Sequence, residues 1–141
     1  MDNSIAEVQT VQQKKIHFPK GLIGLENYHD FTLAELPDQT LFWLLQSLED
    51  EHFGLVITNP FWFMPDYDFE LTESEAKQMG EKKDLDIFVT VNVAAIPENI
   101  TANLMGPIIL NQNIGIGFQT LVSDRKYTTQ YKLMSAKTAG G

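Results

Sequence analysis

The chain has 141 residues, 43% apolar and 21% charged, with 19 acidic against 10 basic side chains and a net charge of −9. This length and composition give one folded domain with its own core and exclude wholesale disorder. The negative balance repels phosphate backbones and anionic lipid, which argues against direct nucleic-acid or membrane binding and favours rapid encounter with a basic protein.

Residues 1–13 are polar with Ile5, Val8 and Val11 scattered among them, a pattern that fits a helix or an edge strand equally well. Lys14 to Phe18 alternates apolar and polar and predicts a first strand. Pro19-Lys20-Gly21 turns the chain, and Gly24 marks a second bend. A strand follows within Tyr28–Leu36. Leu41 to Leu45 is apolar throughout, as in a strand buried on both faces. Phe53 to Thr58 is the next strand, with Phe53, Leu55 and Ile57 on one side.

That strand runs into Ile57-Thr58-Asn59-Pro60-Phe61-Trp62-Phe63-Met64-Pro65-Asp66-Tyr67, the most aromatic stretch of the chain. Asn59-Pro60 ends the strand, since proline donates no ladder hydrogen bond, and Pro65-Asp66 reads as a turn. The apolar run between them either fills the core or grips a partner. Strand-like alternation would set Trp62 and Met64 on one side and Phe61, Phe63 and Tyr67 on the other, without saying which faces out.

Thr72 and Glu75 form a capping box for a short helix, near 72–80, that Gly80 ends. Leu85 to Val93 alternates most cleanly and predicts the clearest strand. Ile100 to Asn111 reads as two extended pieces joined at Gly106-Pro107. Ile114, Ile116 and Phe118 predict a strand with Gly115 and Gly117 opposite, and Tyr127 to Leu133 a last strand. The sum is a mostly β fold: a single small β-barrel-like domain over 1–134, of about eight short strands with one short helix, and a flexible tail at 135–141.

No chemistry is visible. No serine sits in a G-x-S-x-G elbow, and His17, His29 and His52 show no ligand spacing, so no catalytic residues, metal site or cofactor are expected. Gly115 and Gly117 lack the third glycine and following helix of a nucleotide fingerprint. Cysteine is absent, which suits a reducing compartment. Neither a secretory signal nor a membrane-length apolar run of about 20 residues is visible, so a soluble cytoplasmic protein is expected.

Three segments together resemble one family. Phe18-Pro19-Lys20-Gly21-Leu22-Ile23-Gly24-Leu25-Glu26, the stretch Ile57 to Tyr67, and Asn103-Leu104-Met105-Gly106-Pro107-Ile108-Ile109-Leu110-Asn111 with the following Gln119 are similar to the motifs of the flagellar assembly factor FliW family, in the same order. The similarity covers about Lys14 to Leu133. Gly106 replaces an alanine usual in the family, Leu25 a phenylalanine, and Gln130-Tyr131 an Arg-His pair. The resemblance implies a non-enzymatic bacterial protein that binds the RNA-binding translational repressor CsrA and relieves repression of flagellin translation, and that binds flagellin in a partner switch. It implies a protein that is monomeric when free. Phe61, Phe63, Asp66, Tyr67, Asn103 and Pro107 are the partner-binding residues expected on these motifs. The alternative is a small-ligand-binding β-barrel in which 61–67 is an aromatic lid over an internal pocket.

Overall fold

In the computed structural model, which describes residues 13–133, the alternating segments become nine strands. They are β1 (Lys14–His17), β2 (Asp30–Glu35), β3 (Phe42–Ser47), β4 (Gly54–Thr58), β5 (Asp86–Asn92), β6 (Thr101–Ala102), β7 (Ile108–Asn111), β8 (Ile116–Gln119) and β9 (Tyr131–Lys132). Hydrogen-bonded neighbours run β4-β3-β2-β1-β8-β7-β5, and β5 pairs back onto β4, so seven strands close a barrel. Only the β1–β8 contact in this ring is parallel. Strand β5 serves two neighbours in turn: Asp86, Ile87 and Phe88 pair with β7, then Val91 and Asn92 with β6, which carries β9 beyond the ring.

The two-residue period of a strand sorts the core. Phe88 faces into the barrel with Ile16, Phe18, Phe31, Leu33, Leu45, Ile57, Ile108 and Leu110. Its neighbours Val89 and Val91 face outward into a second cluster with Tyr67, Leu104, Val122 and Tyr127. Ile109 and Phe118 also face outward and bury Met79 of the one α-helix among the described residues, α1 (Glu73–Met79). The predicted capping box starts this helix: the Glu75 N–H donates to Thr72 Oγ1 at 3.1 Å and the Thr72 N–H to Glu75 Oε1 at 3.0 Å.

Side chains fill the barrel. A Cβ built on Gly117 would lie 2.7 Å from Phe18 Cζ and 2.8 Å from Leu110 Cδ2, so not even a methyl group fits at that point of the interior. The barrel interior is therefore packed where the small-ligand alternative places its pocket, and 61–67 is no lid over it.

Several expectations change at the edges of elements. Leu41 is 42% exposed just before β3, and β3 itself is only partly buried, because only its face with Trp43 and Leu45 packs into the barrel cluster. Of Tyr127 to Leu133 only Tyr131–Lys132 pairs as strand. Upstream, the Tyr127 N–H donates to the Asp124 carbonyl and the Gln130 N–H to Thr128 Oγ1, which hold the backbone in turns. Gly115 lies in a turn at φ 69° rather than on a strand. The readings of residues 1–12 and of the 135–141 tail fall outside the described residues.

Gly21 and Gly24 differ in a way that stability measurements can separate. Both have positive φ, but a Cβ on Gly21 would meet the Glu26 backbone at 2.7 Å, whereas one on Gly24 meets nothing within 4 Å. Gly21→Ala is expected to cost about 2 kcal/mol or more, and Gly24→Ala only the left-handed conformation itself, about 1 kcal/mol. Urea denaturation at unchanged slope checks both; equal midpoints for the two variants would contradict the packing difference.

Candidate partner-binding site

The aromatic stretch leaves β4 through a 3₁₀ turn, Pro60–Trp62, capped by Asn59, whose Oδ1 accepts from the Phe61 N–H. Strand alternation therefore stops at Thr58, and a period near three takes over. The two faces expected from alternation are not the ones that form. Phe61 lies with Tyr67, ring centroids 6.3 Å apart, whereas Trp62 and Phe63 turn to the other side. Trp62 packs edge-on against Phe42 and Phe63, and its indole N–H donates to Thr58 Oγ1 at 2.9 Å. Phe63 stacks on Tyr131 at 5.5 Å. The Pro65-Asp66 turn forms as expected, closed by the Tyr67 N–H on the Met64 carbonyl.

Phe61 and Tyr67 border a groove of about 580 Å³ that continues along Phe69, Leu71, Leu85 and Ile87 to the end of α1 at Ala76 and Gly80. Asp68, Glu70 and Lys82 stand among its lining residues. The groove is open, lined by apolar and polar surface in comparable parts, and mixed in charge. Its apolar side chains can hold an apolar segment of a partner.

The expected contact residues part company here. Phe61 is 39% exposed and Asp66 is exposed at the turn. Tyr67 is only 4% exposed, and its hydroxyl donates to the Leu104 carbonyl at 2.6 Å. Burial first, and the neighbouring Tyr127 second, push its pKa well above the usual tyrosine value. Phe63 is half-buried, and Pro107 is buried with its carbonyl accepting from the Thr120 N–H. Asn103 lies apart, in a small polar recess of about 260 Å³ with Thr90, Asn92, Thr101, Thr129 and Gln130. Trp62, 41% exposed, is a surface aromatic that the list of expected contact residues lacks. Its 3₁₀ placement was the missing signal, and Asn59-Pro60 is the local sequence that encodes it.

The three motifs meet in space. Tyr67 of the second reaches Leu104 of the third. Gln119 links the third to the first: its Nε2 donates to the Gly106 carbonyl at 2.9 Å, and its Oε1 accepts from the Ile23 N–H at 2.9 Å. Within the first, the Gly24 N–H donates to Glu26 Oε2 at 3.0 Å, and this bond together with one to the Glu26 backbone holds the exposed Glu26 carboxyl below its usual pKa. The segment 104–107 is thus the hub on which the other two motifs are pinned. A Cβ at Gly106 would stand 3.0 Å from Gln119 Nε2, so an alanine there requires only that one flexible amide give way.

Comparison with known proteins places the chain among relatives of one family. The sequence pattern of the family described as FliW protein matches residues 1–133. The flagellar assembly factor FliW of Clostridium kluyveri is 35% identical over 124 residues, covering 86% of each chain. That of Nitratidesulfovibrio vulgaris is 37% identical over 123 residues, covering 85% of this chain and 71% of its own. A crystal structure of the flagellar assembly factor FliW superposes with a TM-score of 0.79 at 28% identity, covering 88% of each chain. The chain belongs to the FliW family of flagellar assembly factors.

Proposed function

We propose that this protein is a non-enzymatic, cytoplasmic regulator that binds the translational repressor CsrA and flagellin in alternation. Binding of CsrA relieves repression of flagellin translation, and flagellin displaces the repressor. Membership of the family supports the role in flagellar assembly. The observation that carries the binding mode is the aromatic 60–67 segment bordering an open, partly apolar groove on a body of net charge −9. Exposed aromatics beside a groove are typical anchors of protein interfaces. A strongly acidic body docked beside an RNA groove repels incoming phosphates as well as blocking them. No helix among the described residues is long and apolar enough to cross a membrane.

The test is co-purification of the full chain with flagellin and with CsrA, followed by an RNA competition assay as ionic strength is raised. Both partners are expected to be captured, and relief of RNA binding is expected to weaken with salt. Antagonism that does not change with ionic strength would remove the electrostatic part of the proposal. Capture of neither partner would remove the proposal altogether.

A further inference from the structure

His17 and His29, far apart in any ligand motif, stand side by side in the fold. Their rings stack with centroids 6.0 Å apart and planes inclined by 23°. Each ring has its Nδ1 tied down. His17 Nδ1 lies 2.8 Å from Asp30 Oδ1, and His29 Nδ1 lies 2.8 Å from the Phe18 carbonyl oxygen. A carbonyl and a carboxylate only accept, so both Nδ1 atoms carry a proton, and in the neutral rings Nε2 holds the lone pair. No hydrogen bond to either Nε2 forms among the described residues.

These two Nδ1 bonds are of the kind that ligating histidines make outside the metal. Ligating histidines almost always donate the second ring N–H to a carboxylate or backbone carbonyl, which fixes the tautomer and raises the basicity of the ligating nitrogen. The surroundings also favour a cation. Glu49 Oε1 accepts from the backbone N–H groups of His29 and Asp30 at 2.7 and 3.0 Å. Asp50 accepts the Tyr28 hydroxyl at 2.7 Å, a bond that holds its carboxyl below the usual range and so keeps it charged.

We propose that His17 and His29 bind one divalent transition-metal ion through their Nε2 atoms, with water completing its coordination. Metal–nitrogen bonds of about 2.0–2.1 Å require the two Nε2 atoms within about 4 Å of each other. The stacked rings must turn to aim both in-plane lone pairs at one ion, and the 48% exposure of the His17 side chain leaves room for that rotation. No group of three or more His, Cys, Asp or Glu side chains placed to hold a metal occurs among the described residues. The site is therefore open and exchangeable rather than a structural cage, and it prefers imidazole-seeking ions, Cu²⁺ above Ni²⁺ and Zn²⁺. Bound metal would fasten the two ends of the segment between Phe18 and Tyr28, which contains the whole first motif.

Isothermal titration of the untagged full chain with Cu²⁺, Ni²⁺ and Zn²⁺ in a non-chelating buffer tests this. One ion per chain is expected, with His17→Ala and His29→Ala each lowering affinity at least tenfold and His52→Ala leaving it unchanged. His29→Ala also removes the bond to Phe18, so a folding defect there is bypassed by nitrogen-detected NMR of the intact protein. Zn²⁺ should shift the Nε2 signals of His17 and His29 and leave those of His52 in place. Undiminished binding in His17→Ala, loss of binding in His52→Ala, or unmoved Nε2 signals would each overturn the proposal.

Discussion

Tyr67→Phe is expected to lower the unfolding free energy by about 1–3 kcal/mol, because it strands the buried Leu104 carbonyl without its donor. Tyr67→Ala is expected to cost about 3–5 kcal/mol, since it also empties the junction between Phe61, Phe69 and Tyr127, whose rings lie 4.8 to 6.3 Å from it. At roughly 2–4 °C per kcal/mol, the alanine variant should melt about 10 °C below the parent. Thermal and urea unfolding check both. A Tyr67→Phe variant as stable as the parent would show that the hydroxyl does not hold the second and third motifs together. Loss of partner binding in Tyr67→Ala that accompanies the expected destabilisation is a folding effect and says nothing about a contact.

The complementary variant is Phe61→Ala. Phe61 is exposed and borders the groove without being part of a buried cluster. Its removal is expected to leave stability within about 0.5 kcal/mol. If the groove is the docking site, affinity for the occupying partner should fall about 10- to 100-fold, the loss typical of an aromatic anchor. Trp62→Ala, on the opposite side of the 3₁₀ turn, serves as the matched comparison. If Phe61→Ala weakens one partner and Trp62→Ala the other, flagellin and CsrA use different faces of the same turn. Full affinity of Phe61→Ala for both partners would exclude the groove as their site.

These two residues also show how far residue order alone carries. In Ile57 to Tyr67, composition identifies an aromatic segment that leaves a strand at Asn59-Pro60 and turns at Pro65-Asp66, and both ends form as expected. Which ring faces out depends on the helical period between those ends, and a four-residue apolar run does not declare its period. Tyr67 reads as a contact residue by type, yet it is a buried strut because Leu104, 37 residues later, offers a carbonyl to its hydroxyl.

Similarly, Leu85 to Val93 is legible as a strand from alternation, and the capping box of Thr72 and Glu75 as a helix start, since both depend on near neighbours. The two-residue pairings β6 and β9 are not legible, because a ladder that short is held by its partner strand rather than by its own pattern.

Local chemistry thus sets the β class, the helix, the turns and the family motifs. Barrel closure decides the rest. It brings Gln119 between Ile23 and Gly106 and opens the groove beside Phe61, while the β1–β2 pairing sets His17 beside His29. Each of these depends on contacts between residues distant in the chain, and the energy of such contacts exists only once the sheet has curled onto itself.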